Sequence, residues 1–539
     1  MKSQGRILII DDLASWRDIL SRTLQAQGFE TQTASSISEA LNHLMETDYH
    51  LLVLDIRLDE MKESDEAGMD FLRQLADRGL GSALHVIMLS AYGTPAQMRA
   101  AFRDFHVVDF MAKEDFDNAE FSKQVQHTFQ TKVDINYGLN MTWQDEWDSQ
   151  RNLSHLRLNG HIVQSDPAFL ERLDGELEDL LKRIFHRAES IRIKPLTPGF
   201  SGASVLQVQP SFADRGVGQP VVVKFGDYRK IEQEYKNFEK FVQPFVGGGR
   251  CTTIRGRGLR RTSRLGGIAY SLLGAANEQI EDFRQFYQRA TIEEIKAVFD
   301  NLFQHTCIPW YEAASAPQMI DLTETYMDVI GMSLSELDQL RVESLPNVVG
   351  QVMLQFEQIT SDERFVNPVL AVDQASLVCE SSCCITHGDL NHTNVWVDAD
   401  HHTWLIDFQH TSTGHLLRDV VMLDSIIRFQ LLPPDAASLD ERLAMERVLV
   451  SVSQPQDIDT IDVTQFANQP HLSKAFQASL HLRSLAAQLK VQTGGTDYTE
   501  YHIAVFYRAL NTIRFLNLSE TQREHAVLSA SLLVDHLPL

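Results

Sequence analysis

The sequence has no run of about eighteen apolar residues, the length a helix needs to cross a bilayer, so no membrane-spanning helix and no membrane partner are expected. Its opening, MKSQGRILIIDD, turns acidic before a secretory apolar segment could form, and a cytoplasmic protein is expected. Basic charge is scarce. The 48 lysines and arginines face 73 aspartates and glutamates, and the resulting net charge of -25 repels phosphate backbones and anionic lipid. Nucleic acid is therefore not an expected partner, and no helix-turn-helix pattern follows the first domain. Cysteine is scarce too. Cys251, Cys307, Cys379, Cys383 and Cys384 form neither an even framework nor CxxC pairs, which fits a reducing compartment and does not fit paired zinc knuckles.

Length, by contrast, is ample. A chain of 539 residues exceeds one core and should form about three or four folding units at roughly 150 residues each. The expected division is residues 1–131, a linker with an amphipathic helix over 132–190, a smaller domain over 191–275 and a helical region over 276–539. The expected fold class is multidomain, α/β followed by α+β.

In the first 130 residues, apolar strands near Arg6–Ile10, Phe29–Thr33, Leu51–Leu54, Leu84–Leu89 and Val107–Met111 alternate with amphipathic segments Ala14–Gln27, Ile37–Glu46, Met69–Asp77 and Pro95–Phe105. Alternation of this kind implies a doubly wound five-stranded parallel sheet with its ligand site beyond the carboxyl ends of the strands. Those ends supply Asp11, Asp12, Asp55, Ser90 and Lys113. Taken singly, an Asp after a strand caps a helix and a Lys is solvated. Taken together, the set can hold a divalent cation, offer a carboxylate nucleophile and neutralise a phosphate. Here the chain resembles the receiver domain of bacterial response regulators, a flavodoxin-like fold. The resemblance implies that Asp55 accepts phosphate from a sensor histidine kinase or phosphotransfer protein and that Asp11, Asp12 and Asp55 hold Mg2+. It also implies that Ser90 and Lys113 contact the phosphoryl oxygens and that Phe110 is the switch aromatic. Two departures are Glu114, where receivers often carry Pro, and a long charged loop from Ile56 to Ala67.

Residues 132–165 read as a linker with some extended structure. From Asp166 the pattern sharpens: Pro167 suits a first helical turn, and Phe169, Leu173, Leu177, Leu180, Leu181 and Ile184 recur at helical spacing. This stripe is expected to pack on the following domain, a coiled coil being the alternative.

Farther on, LTPGFSGASVLQV (196–208) reads as strand, glycine loop and strand, and QPVVVKFGD puts Lys224 inside an apolar strand, where a charge is costly without a partner such as Glu234. Residues 384–409 spell CITHGDLNHTNVWVDADHHTWLIDFQ. Phosphoryl transfer needs positioning and charge neutralisation, and Asp389, Asn394 and Asp407 have the order and spacing for a catalytic Asp and two metal ligands. These segments resemble the aminoglycoside-phosphotransferase branch of the protein-kinase-like fold, bilobal with a large helical C-lobe. They are also similar to a ternary-complex-associated domain of bacterial signalling systems. The resemblance implies ATP and Mg2+ as cofactors, with Gly199, Ser201 and Gly202 over the phosphates, Lys224 contacting them and Glu234 orienting Lys224. It further implies Asp389 as the catalytic residue toward an acceptor hydroxyl, Asn394 and Asp407 on metal, and a hinge near Gly274. Gln409 replaces the Gly of a flexible Asp-Phe-Gly switch, which suggests a fixed metal site, and Arg418 and Asp419 are expected to brace the catalytic loop.

The expected function is a phosphorelay protein whose receiver regulates an ATP-dependent phosphotransferase of unread acceptor. The alternative is a catalytically inactive kinase-like scaffold. The arginine-rich stretch GGGRCTTIRGRGLRRTSR (247–264) is either an anion site or, preferred, a hairpin balancing nearby acids. His401, His402, His410 and His415 lack a metal-like arrangement and read as surface or loop residues.

Overall fold

A computed structural model of the chain describes all residues except 1–4, 59–65, 78–79, 81–83, 92, 145–152, 159–160, 164–165, 197–201, 247–250, 272–279, 331–364, 367, 373–375, 492–496 and 516. It divides into two compact units, Met1–Tyr235 with Ile254–Leu272, and Lys236–Thr253 with Leu273–Leu539. Among the described residues no helix is long and apolar enough to cross a membrane.

The first unit begins with β1 (Arg6–Ile10), α1 (Ala14–Gln25), β2 (Glu30–Ala34), α2 (Ile37–Glu46), β3 (Leu51–Leu54), α3 (Ala67–Asp77), β4 (His85–Ser90), α4 (Pro95–Asp104), β5 (Asp109–Ala112) and α5 (Asn118–Thr128). The strands form a parallel sheet in the order β2-β1-β3-β4-β5. Alternate residues serve opposite faces, as the two-residue period of a strand dictates. Leu8, Ile10, Leu52, Leu54 and Met88 pack with Phe71 and Leu72 on one side. Ile7, Ile9, Leu51, Val53 and Ile87 pack with Leu20, Phe121 and Val125 on the other. With both faces covered, the strands are continuous apolar runs rather than alternating ones.

A second sheet follows, built from β6 (Asn140–Trp143), β7 (Ser190–Pro195), β8 (Ser204–Phe212), β9 (Gly216–Val217), β10 (Val221–Asp227), β11 (Arg260–Arg261) and β12 (Leu265–Ser271). Its order is β11-β12-β10-β8-β7-β6, with β9 on β8. The helix expected after Asp166 runs from Pro167 to Ile184 (α6), with the Asp166 side chain accepting from the Ala168 N–H. Its stripe of Leu170, Leu173, Leu177, Leu180 and Leu181 buries against Ile191, Ile193, Leu206, Val223 and Leu265, so it is a core stripe of this sheet. Between β10 and β11, α7 (Tyr228–Asn237) carries Glu234.

The second unit is mainly helical. Its α8 (Ile292–Asn301) opens on a capping box formed by Thr291 and Glu294. Short hairpins carry the 384–409 segment: β13 (Cys383–Thr386) pairs with β16 (Ser412–His415), and β14 (Val395–Val397) with β15 (Thr403–Leu405). Among the described residues, five α-helices follow these hairpins: α9 (Arg418–Ile426), α10 (Leu439–Ser451), α11 (Pro470–Val491), α12 (Thr499–Thr512) and α13 (Glu520–Val534). Another capping box, Ser519 with Gln522, opens α13.

One expectation is corrected. His415 is neither a surface nor a loop residue, because pairing of β16 with β13 buries it completely. Its Nδ1 lies 2.8 Å from the Tyr326 hydroxyl and its Nε2 3.0 Å from Glu500, so it is a satisfied core histidine.

Candidate functional site

The parallel sheet of the first unit delivers its polar groups to one end. Asp11 and Asp12 follow β1, Asp55 follows β3, Ser90 closes β4 and Lys113 follows β5. Carboxylate oxygens of Asp11, Asp12 and Asp55 lie within 4.8 Å of one another, a spacing one small hard cation can span. Lys113 places its ammonium 2.5 Å from Asp55 and 2.6 Å from Asp11. Burial pushes the Asp11 carboxyl up to about 6, Lys113 opposes that shift and the neighbouring Asp55 charge reinforces it. For Lys113, burial works against the charge, but its bonds to Asp11 and Asp55 prevail and raise its pKa. Two glycines shape the rim. A Cβ on Gly68 would come 2.2 Å from the Asp55 carbonyl oxygen, and one on Gly93 the same distance from the ring of Phe110. The three-carboxylate set fits Mg2+, whose chemistry when bound would be to neutralise charge on a phosphoryl group.

Of the nucleotide residues anticipated from the sequence, Gly199, Ser201 and Gly274 lie outside the described residues. Gly202 is described, at φ +75°, where a Cβ would sit 3.0 Å from the Arg157 side chain. Lys224 on β10 and Glu234 on α7 meet at 2.8 Å, both buried. The Tyr270 hydroxyl also donates to Glu234, at 2.8 Å, a contact the sequence marked only as a tyrosine in an apolar strand.

In the second unit, the chain after β13 turns through Gly388 at φ +83°, and a Cβ there would fall 2.1 Å from the carbonyl oxygen of His410. Asp419 on α9 accepts from the backbone N–H of His387 at 2.7 Å and of Gly388 at 3.0 Å, and Arg418 donates to the Gly388 carbonyl at 3.0 Å. These two residues brace the loop as the sequence implied. The loop residue Asp389 receives the Asn394 amide on its carbonyl at 2.8 Å and on its carboxylate at 3.2 Å. Asn391 adds a second bond to that carboxylate at 3.1 Å. The β14/β15 register sets Val395 opposite Leu405, and the Ile406 N–H donates to the Asn394 carbonyl, so Asn394 and Asp407 emerge at the same end of the hairpin. Asp407 occupies the left-handed region at φ 66°, a strained position for a non-glycine that is retained where surrounding structure enforces it. Phe408, next in sequence, is fully buried between His387 and Phe238.

The doubly wound sheet with an acidic pocket and a bridging lysine defines a response regulator receiver domain, and the model of that family matches residues 7–126. The model of ternary complex associated domain 9 matches residues 188–366 and 361–514, more than half of the chain, and the protein belongs to that family. The regulatory protein AtoC of Escherichia coli (strain K12) is 29% identical over 177 residues, 32% of this chain and 33% of AtoC. The transcriptional regulatory protein ZraR of the same organism is 30% identical over 125 residues, 23% of this chain and 26% of ZraR. The chain thus spans about a third or less of the curated relatives it matches. Among solved structures, the receiver domain of NtrX from Brucella abortus is 27% identical, covering 23% of this chain and 99% of that one, with a TM-score of 0.21. Through its receiver the protein falls among phosphorelay signalling proteins.

Proposed function

We propose that the protein is a phosphorelay switch in which Asp55 accepts a phosphoryl group from a sensor histidine kinase or phosphotransfer protein and thereby regulates an ATP-dependent, kinase-like phosphotransferase in the remainder of the chain. The observation that carries the receiver half is the contact of Lys113 with Asp55 and Asp11, which puts a cation beside the nucleophile. In that half, an Asp55 oxygen forms the new P–O bond as the donor's P–N bond breaks. Lys113 and Ser90 receive the phosphoryl oxygens, while Asp11, Asp12 and Asp55 would hold Mg2+.

The kinase-like half is supported by the Lys224–Glu234 pair and by the braced loop that presents Asp389 beside Asn394. Lys224, oriented by Glu234, would neutralise nucleotide phosphates. Asp389 would accept the proton of an acceptor hydroxyl as its oxygen attacks the terminal phosphorus and the nucleoside diphosphate leaves. Asn394, whose amide nitrogen is spent on Asp389, offers Oδ1 to a metal ion, with Asp407 as the second ligand. In this reading residues 191–275 and 276–539 are the two lobes.

Two measurements test the halves separately. Incubation with Mg2+ and acetyl phosphate is expected to phosphorylate the wild type and leave Asp55→Asn unmodified; equal labelling of both would sink the receiver half. ATP turnover or autophosphorylation is expected in the wild type and absent in Asp389→Asn. Nucleotide binding without turnover in the wild type would instead favour a scaffold.

A further inference from the structure

The end of the receiver sheet opposite the phosphoacceptor carries a second set of charged residues, gathered around the buried His50, Glu176 and Asp179. Arg6, at the start of β1, pairs with Asp179 of α6 and donates through Nε to the Asp48 carbonyl at 2.6 Å. His50, just before β3, places Nε2 3.0 Å from the same Asp179 carboxylate. Its Nδ1 accepts the Arg6 backbone N–H at 3.0 Å and lies 2.8 Å from the Tyr137 hydroxyl, so the ring is neutral and Nε2 is the nitrogen that donates. Burial pulls His50 down to about 4, in keeping with that state. Burial also works against the Asp179 carboxylate, but the His50 donor and the Arg6 and Lys182 charges outweigh it and hold its pKa below the usual range.

One turn earlier on α6, Glu176 is equally buried. It pairs with Arg264 and accepts from the Arg264 backbone N–H at 2.9 Å and the Thr262 hydroxyl at 2.6 Å. Arg264 also stands 4.0 Å from Asp48 of the receiver. At the rim, Asp134, which follows the last receiver helix, is held by Arg257 at 2.6 Å and Arg260 at 3.3 Å. Three arginines of the arginine-rich stretch, 257, 260 and 264, thus meet acids that line this seam.

Two features set the seam apart from an ordinary domain contact. Glu176 and Asp179 lie three residues apart on one helical face, within the apolar stripe of α6, where a carboxylate is costly unless cations meet it. Those cations come from the receiver and from the basic hairpin. The same strands also carry both ends: β1 runs from Arg6 to Asp11 and Asp12, and β3 from His50 to Asp55, roughly 17 Å at about 3.3 Å per residue.

We propose that the α2–β3 end of the receiver is permanently docked on α6 and the 254–264 hairpin. On this view the receiver and the second sheet move as one body, and the state of Asp55 is transmitted along β1 and β3 through the Arg6–His50–Asp179 cluster rather than by release of a tethered receiver. The inference rests on Asp55 as the phosphoacceptor.

Hydrogen exchange by mass spectrometry on the full chain tests it, comparing wild type, Asp179→Asn, the rim variant Arg257→Ala/Arg260→Ala and Asp55→Asn, each with and without Mg2+ and acetyl phosphate. Asp179→Asn is expected to raise exchange several-fold in Arg6–Ile10, Leu51–Leu54 and α6 together, with the rim variant doing so more weakly. Acetyl phosphate is expected to alter exchange in α6 and 254–264 of the wild type but not of Asp179→Asn or Asp55→Asn. Should Asp179→Asn loosen α6 alone, or should phosphorylated wild type change only within residues 5–128, the coupling is overturned. Failure of the wild type to become labelled would show instead that the Asp55 assignment is wrong, and joint loosening of α6 and the receiver strands in Asp179→Asn would still establish the docking.

Discussion

The Lys113 ammonium lies 2.5 Å from a carboxylate oxygen of Asp55, across 58 residues of chain, and shares that ammonium with Asp11. The first prediction follows from the third partner. Asp11 carries a proton up to about pH 6, because burial outweighs the Lys113 charge, and Mg2+ requires that proton to leave. Mg2+ affinity should fall as pH drops below about 6, approaching tenfold per unit. Without metal the sign for stability is opposite: the folded state retains a proton that the unfolded chain releases near 3.8, so stability declines as pH rises from about 4 through about 6. Trp16, whose ring lies 5.2 Å from Lys113 Nζ, provides the fluorescence signal, with Trp16→Phe as control. Equal affinity at pH 5 and 7.5 would refute the shift.

Lys224→Met should weaken ATP binding by at least tenfold, and Glu234→Gln by less, because the amide still receives the Tyr270 hydroxyl. Removing one member of a buried pair also costs roughly 3–5 kcal/mol of stability, so binding by calorimetry must be read beside a melting curve. Unchanged ATP affinity in folded Lys224→Met would remove Lys224 from the nucleotide site.

Gly388→Ala should be among the most damaging single substitutions in the second unit. The residue combines φ +83° with a Cβ only 2.1 Å from the His410 carbonyl oxygen, and that obstacle is backbone. Asp419→Asn should do less harm, since one carboxamide oxygen still accepts one of the two loop amides. We expect Asp419→Asn to lower ATP turnover more than nucleotide affinity, as befits a positioning residue. Thermal melts ranked Gly388→Ala below Asp419→Asn below wild type would bear this out, and a wild-type melt for Gly388→Ala would overturn it.

The seam should be acid-labile. His50 titrates near 6.5 in an unfolded chain and about 4 in the fold, so the stability it represents is present above about pH 6.5 and is lost as pH falls toward 4. At about 1.4 kcal/mol per unit this amounts to roughly 3 kcal/mol. A His50→Asn protein should show a flatter dependence of its melting temperature between pH 7 and 4.5. Parallel curves for the two proteins would contradict the assignment.

The receiver was legible because its five strands and first four helices are specified locally; the fifth helix, Asn118–Thr128, was not read from the sequence. Arg6–Ile10 and Leu51–Leu54 are uninterrupted apolar runs ending in acids, and the structure reproduces both limits. The seam was not legible, since Glu176 and Asp179 look like solvated acids on an amphipathic helix until Arg6, His50 and Arg264 arrive from far along the chain. His415 was misread for the same reason: its partners Tyr326 and Glu500 are 89 and 85 residues away. The brace of Asp419 lies between these cases, suggested by its position soon after Asp407 and specified only by tertiary contact with His387.

The Asp407–Phe408 corner has a consequence for control. In kinases with a glycine after this pair, rotation of the peptide can withdraw the metal ligand and swing the ring outward. Here Phe408 is fully enclosed and Gln409 replaces the glycine. In the kinase-like reading proposed above, control by the receiver would therefore act on access of nucleotide or acceptor rather than on rotation at this corner.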